Sequence, residues 1–319
     1  MAVYTEVSDN ALAAFVSHYD IGEVVACKGI ADGVENSNYL LQTDRGTYIL
    51  TLYEKRVRRE DIPFFLDLME HLAAQGTACP VPIHGRDGAS LRTLCGRPAA
   101  IVSFLRGMWP MRILPDHCRQ LGTALARMHL AGQSFDRSRA NDLSVAAWRE
   151  IFAKCADGAD SVLPGLGAEI EAELDHLERN WPVGIPTGII HADLFPDNVF
   201  FLNHRLSGLI DFYFACTDFF AYDIAVCLNA WCFEPDRSFN VTKARVMLDA
   251  YRAERAFSSA EIDALPLLAR GSATRFLLTR LHDWLHHPEG ALVRRKDPQE
   301  YWQKLRFHRK VAGPSAYGL

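Results

Sequence analysis

Apolar and polar residues alternate over 38–43 and 47–53, and Asp44-Arg45-Gly46 joins the two runs as a hairpin turn. The segment 23–28 reads as a third strand. Helical spacing takes over at 60–75, where Phe64, Phe65, Leu68, Met69 and Leu72 recur near i, i+4. Gly76 ends that pattern, and Pro80 and Pro82 forbid its continuation. A second hairpin follows at 91–94 and 98–105, around Cys95-Gly96-Arg97. The first hundred residues therefore predict about five strands and one helix.

Gly107 and Pro110 interrupt the alternation, and the period beyond them is mainly helical. Pro115-Asp116 opens a helix through Leu121, Leu125 and Met128 that Gly132 closes. Further helices are expected at 144–156, 167–179, 220–233, 240–253, 259–287 and 297–311. One short strand pair, 198–202 and 206–210 about Asn203-His204-Arg205, interrupts them. The expectation is an α+β protein with a β-rich N-terminal lobe, 1–106, and a larger, mainly helical lobe, 107–319.

Composition narrows the class. A chain of 319 residues, 49% hydrophobic and 23% charged, buries a core without disulfides or a structural metal. Its 34 basic and 39 acidic residues give a net charge of −5, which opposes nonspecific nucleic-acid binding. The basic tract Lys55-Arg56-Val57-Arg58-Arg59 reads as a solvated helix entrance. Eight cysteines are scattered without a C-x-x-C pair, the usage of reduced thiols in a cytoplasmic protein. The N-terminus shows no secretory pattern, and no apolar stretch reaches the ~18 residues of a membrane span.

Chemistry concentrates in Ile190-His191-Ala192-Asp193-Leu194-Phe195-Pro196-Asp197-Asn198, followed by the short hairpin and then Ile210-Asp211-Phe212. A polar loop, a hairpin and a returning carboxylate suit phosphoryl transfer, which demands positioned oxygens and charge neutralisation. Asp193 is the candidate base for an acceptor hydroxyl. Asn198 and Asp211 are hard oxygen donors suited to Mg²⁺, which takes one or two carboxylates and completes its shell with phosphate and water. His191 braces the loop. A turn at Asp197-Asn198 and a cap at Asp211 explain single residues, but not the whole set.

His191-x-Asp193-x-x-x-x-Asn198 with Asp211-Phe212 resembles the catalytic and metal-binding loops of the protein-kinase-like superfamily. His-Ala-Asp-Leu and Asp-Phe-Tyr are similar to its small-molecule branch, the aminoglycoside and choline kinases. The segments 29–39 (GIADGVENSNY), 47–56 (TYILTLYEKR) and 63–71 (PFFLDLMEH) resemble the bacterial homoserine kinases of that branch. The resemblance runs over nearly the full length. It implies ATP and Mg²⁺ as cofactors and L-homoserine as acceptor, in threonine biosynthesis. Another small-molecule kinase and a nucleotide-binding pseudokinase are the alternatives.

On the nucleotide side, Gly29 and Gly33 bracket a turn, and Ser37 stands among small polar donors near it. The spacing is not G-x-G-x-x-G, so the resemblance is what assigns this turn to phosphate. The superfamily's strand lysine matches Thr51. Lys28 is the favoured replacement cation over Lys55, with Glu60 and Glu70 as candidate carboxylate partners. The segment 101–107 resembles the interlobe hinge, which implies adenine contacts through the main chain of Ser103 and Leu105. Arg275, Arg280 and Asp283 are candidates for the acceptor's carboxylate and ammonium. Asp223 reads as a cap or a tie to the catalytic loop, His129 as a buried structural histidine, and Trp231 as core. His282, His286 and His287 read as a polar helix face.

Overall fold

The computed structural model describes residues 4–30, 36–54, 57–286 and 295–319. Two compact units result: Met1–Gly107 with Ser207–Tyr213, and Met108–Leu206 with Phe214–Leu319. The return of 207–213 to the first unit is something a single cut near residue 106 does not capture.

The first unit holds a five-stranded antiparallel sheet in the order β1-β2-β3-β5-β4. Its strands are β1 (Val24–Gly29), β2 (Ser37–Thr43), β3 (Thr47–Leu52), β4 (Leu91–Leu94) and β5 (Arg97–Ser103). Alternation fixes the faces: Ser37, Tyr39, Leu41 and Thr43 of β2 point inward. The β4–β5 turn is two residues, Cys95 and Gly96, both at positive φ (50° and 76°), which matches the twist of the flanking strands. Helix α2 (Ile62–Ala74) lies where its periodicity predicts. The expectation of one helix is corrected: α1 (Asp9–Val16) precedes the sheet, capped by the Ser8 hydroxyl, which accepts from the Ala11 N–H. Its Leu12, Phe15 and Val16 join Leu41, Leu50 and Ile101 in the core.

The second unit is mainly helical: α3 (Pro115–Gly132), α4 (Val145–Ala153), α5 (Ala156–Val162), α6 (Leu166–Asn180), α7 (Phe220–Trp231), α8 (Val241–Glu254), α9 (Ser259–Leu285) and α10 (Pro298–His308). The helix expected at 144–156 is two, broken at Lys154-Cys155. The predicted hairpin is β7 (Val199–Leu202) with β8 (Arg205–Leu209). A second pair, β6 (Thr187–Ile190) with β9 (Cys216–Phe219), is a correction to the expectation of one. At four residues each, these strands carry too little alternation to register in sequence.

Helix α9 organises this unit. It starts with a capping box: the Glu261 N–H donates to the Ser258 hydroxyl, and the Ser258 N–H to the Glu261 carboxylate. From Ala264 to Leu281 most of its side chains are buried. No helix among the described residues is long and apolar enough to cross a membrane.

Close approach of α3 and α8 depends on one glycine. A Cβ at Gly122 would lie 2.1 Å from the Met247 carbonyl oxygen. Backbone cannot yield as a flexible side chain does, so Gly122→Ala is expected to cost about 2–3 kcal/mol. Calorimetry would then read a melting temperature lower by roughly 4–12 °C; an unchanged value would mean that the helices separate freely.

The C-terminus is tied to this bundle through His308, which is 1% exposed. Its Nδ1 lies 2.8 Å from the Tyr317 hydroxyl and its Nε2 3.2 Å from Asn229 Oδ1, the pattern of a neutral ring accepting from the first and donating to the second. Burial, with the charges of Lys304 and Arg270, pushes the imidazole down to about 3. The unfolded ring titrates near ~6.5. Between these values the unfolded chain binds the extra proton, so stability falls as pH drops below ~6.5. In melts across pH 4.5–7, His308→Gln should flatten this dependence; a slope equal to wild type would assign it to other groups.

Candidate active site

The central loop leaves β6, whose Ile189 and Ile190 are buried, and reaches Asn198 through a 3-10 turn, Pro196–Asn198. Ala192 sits at φ 62°, a left-handed conformation that costs a non-glycine residue about 1–2 kcal/mol. Such strain persists only where the surroundings over-determine it. Here they do. The His191 and Ala192 N–H groups donate to the Asp223 carboxylate, each at 2.8 Å. The Ala192 carbonyl accepts from the Arg275 guanidinium. The Asp193 carbonyl accepts from Asn198 Nδ2 and from the Phe195 N–H, both at 2.8 Å. The Leu194 carbonyl accepts from Trp231 Nε1 at 2.8 Å.

Asp223 belongs to the first turn of α7 and is fully buried. Burial pushes its carboxyl up, but the hydrogen bonds it accepts from His129 and the loop amides outweigh this and hold it below the usual carboxylate range. His129 of α3 is pushed down by burial, so the pair reads as a carboxylate facing a neutral imidazole. His129 Nε2 lies 3.1 Å from Asp223 Oδ2, and its Nδ1 lies 2.7 Å from the Tyr251 hydroxyl. The relay Tyr251–His129–Asp223 therefore ends on the amides of the loop. Asp223 is a tie to that loop, as one of its two expected roles had it, and His129 is buried as expected.

Asp193 projects from this pinned backbone with 19% of its side chain exposed. The Asn198 amide nitrogen is committed to the Asp193 carbonyl, which leaves the amide oxygen as its donor face for a cation. Asp211 belongs to the first unit, after β8, at φ 65°. Beside it Phe212 is buried, and the Tyr213 hydroxyl lies 3.3 Å from that of Tyr53, the two rings edge-on at 5.2 Å. The Asn198 amide oxygen and the Asp211 carboxylate are each, taken singly, a hard oxygen donor of the kind Mg²⁺ accepts. Among the described residues no three His, Cys, Asp or Glu side chains gather as a metal cage.

The remaining predicted residues separate. Lys28 is exposed on β1 opposite Leu40, and Gly29 pairs with Tyr39. Gly33, Lys55 and His287 lie outside the described residues. Ser37 is fully buried; its hydroxyl donates to Glu54 at 2.7 Å and accepts from the Tyr4 N–H at 2.8 Å. Its one proton is thus committed within the sheet. Thr51, at the strand-lysine position, donates to Asn38 Oδ1 at 2.8 Å. Glu70 lies 3.1 Å from His84 Nε2. The Ser103 N–H donates to the Val81 carbonyl at 2.8 Å, and Leu105 follows the end of β5.

Of the three acceptor candidates, Arg275 is 1% exposed and turned onto the loop after β6, 4.0 Å from Asp193 Oδ1. Arg280 is paired with Glu300 at 2.6 Å. Asp283 lies 3.6 Å from His282 Nδ1. A cluster that sequence reading missed surrounds Arg280. Lys304 also pairs with Glu300 at 2.6 Å, and both cations lie 4.4 Å from the centroid of the Tyr301 ring. Burial pushes the Glu300 carboxyl up, but Lys304 and Arg280 outweigh it and bring it down to about 2. The i, i+3 and i, i+4 spacing of Glu300, Tyr301 and Lys304 on α10 was the available signal; nothing in sequence brings α10 to α9.

Residues 26–257 match the family model described as the phosphotransferase enzyme family. A homoserine kinase of Paramagnetospirillum magneticum is 66% identical over the whole length of both chains. A homoserine kinase of Rhodospirillum rubrum is likewise 66% identical, over all of this chain and 99% of the relative. Among solved structures, an amicoumacin kinase in complex with AMP-PNP and Ca²⁺ is similar with a TM-score of 0.71 at 15% identity, covering 95% of this chain and 92% of that one. Choline kinase from Cryptosporidium parvum gives 0.68 at 14% identity, covering 95% of each chain. These structural likenesses establish the protein-kinase-like α+β fold.

Proposed function

This chain belongs to the phosphotransferase enzyme family, and on that premise we propose that it transfers the γ-phosphoryl group of ATP to the side-chain hydroxyl of L-homoserine. The product is O-phospho-L-homoserine, in threonine biosynthesis, and the setting is cytoplasmic. The observation that carries the reading is full-length identity of 66% to homoserine kinases together with an intact Asp193 and Asn198 on one pinned loop.

In this reading Asp193 orients the homoserine hydroxyl and takes its proton as the oxygen attacks phosphorus. The Asn198 amide oxygen and the Asp211 carboxylate hold Mg²⁺, which supplies neutralisation of phosphate charge. His191 keeps the loop in shape. Gly29, Gly33 and Lys28 belong to the nucleotide's phosphates, and the main chain of Ser103 and Leu105 to adenine. The Arg280–Glu300–Lys304 cluster carries one more positive charge than negative, a counterpart for the acceptor's carboxylate, and Asp283 a counterpart for its ammonium.

Thr51 in place of the strand lysine favours one other reading, a nucleotide-binding pseudokinase. ADP release by the purified protein, with a panel of homoserine, serine, choline and aminoglycosides, separates the two. Turnover dependent on homoserine supports the proposal. Preference for another alcohol would reject the acceptor, and ATP binding without turnover would favour the pseudokinase.

A further inference from the structure

Arg275 is a poor candidate for an open ligand site. It is 1% exposed, and its guanidinium lies 4.5 Å from the centroid of the Phe276 ring and 5.6 Å from that of Phe214. Its NH1 donates to the Ala192 carbonyl, its NH2 is 4.0 Å from Asp193 Oδ1, and the Tyr222 hydroxyl lies beside it. A buried cation is costly to desolvate, and an apolar side chain of similar volume would fill the space more cheaply. What an apolar side chain cannot do is hold a carbonyl. The residue it holds is the left-handed Ala192, whose N–H is held from the opposite end by Asp223 at 2.8 Å. The two side chains come from different helices, α7 and α9, and grip successive peptide groups around one strained residue.

We propose that Arg275 is a positioning residue: with Asp223 it clamps Ala192 in the left-handed conformation and so sets the direction in which the Asp193 carboxylate leaves the loop. The inference rests on the reading of Asp193 as the group that receives the acceptor's proton. A lysine is not equivalent, because a single ammonium lacks the planar fork that reaches the carbonyl and the Asp193 carboxylate from one side chain.

The test compares Arg275→Met and Arg275→Lys with each variant carrying Ala192→Gly in addition, using the acceptor that the wild type phosphorylates best. Loss of alignment alone lowers kcat by about 10²-fold. The acceptor KM should stay within roughly threefold, because a group acting through the loop does not bind substrate. Glycine adopts positive φ without strain. Ala192→Gly should therefore restore at least about tenfold of the kcat lost in the arginine variants. Amide hydrogen exchange over 191–194 should quicken in both arginine variants, a readout that needs no acceptor and survives failure of the homoserine assignment. If Arg275→Met does not fold, the Arg275→Lys pair makes the same comparison. A raised acceptor KM with kcat kept would make Arg275 an acceptor ligand and overturn the proposal; so would glycine failing to restore kcat, or unchanged exchange.

Discussion

Asp193→Asn is expected to lower the kcat for homoserine-dependent ADP release by about 10²–10⁴-fold, the usual contribution of a positioned general base. The substitution keeps shape and removes basicity. The main chain of four consecutive loop residues, 191–194, is held by Asp223, Arg275, Asn198 and Trp231. The variant should therefore melt within a degree or two of wild type, because a partly exposed side chain outside the packed core contributes little. Its KM for ATP should hardly change, since the residue is assigned to the acceptor. Single-turnover measurement places the loss in chemistry rather than in product release. A variant retaining a tenth of wild-type turnover would remove Asp193 from the base role.

Features legible in the sequence are those written over short distances. The β2–β3 and β7–β8 hairpins declare themselves by alternation and turn residues, and the spacing of Asp193 and Asn198 sits within one loop. What supports that loop was only partly legible. The bond from the His191 amide to Asp223 spans 32 residues, that from Arg275 to Ala192 spans 83, and that from His129 to Asp223 spans 94. Tertiary packing creates these contacts. In sequence the same residues are as easily a helix cap, a surface ion pair or a core filler. Arg275 shows the ambiguity best: an arginine near an amino-acid acceptor reads as a carboxylate ligand until its burial is known. For Ser37 the strand register decides what sequence does not show: it turns the hydroxyl to the buried face beside Glu54. Helix α1 was legible and missed, since Ser8 precedes Leu12, Phe15 and Val16 at helical spacing.

Asp223→Ala is expected to have the largest effect on stability of any substitution near the site. It leaves the His191 and Ala192 N–H groups and His129 Nε2 buried without their shared acceptor. Each orphaned donor costs about 1–3 kcal/mol. Three such donors are left, so a loss of about 4 kcal/mol or more is expected from urea unfolding. A cavity at a 0% exposed position adds to this. Activity should fall as well, because the left-handed Ala192 relaxes once one end of its clamp is gone. The contrast with Asp193→Asn is the informative part. Asp193→Asn loses activity in a fold of unchanged stability, whereas Asp223→Ala loses both. Asp223→Asn belongs between them: its amide oxygen can still accept from one loop N–H, while its NH₂ faces a second donor. If Asp223→Ala unfolds within about 1 kcal/mol of wild type, the loop amides have found water or another acceptor. The buried carboxylate would then not be what holds the strained peptide in place.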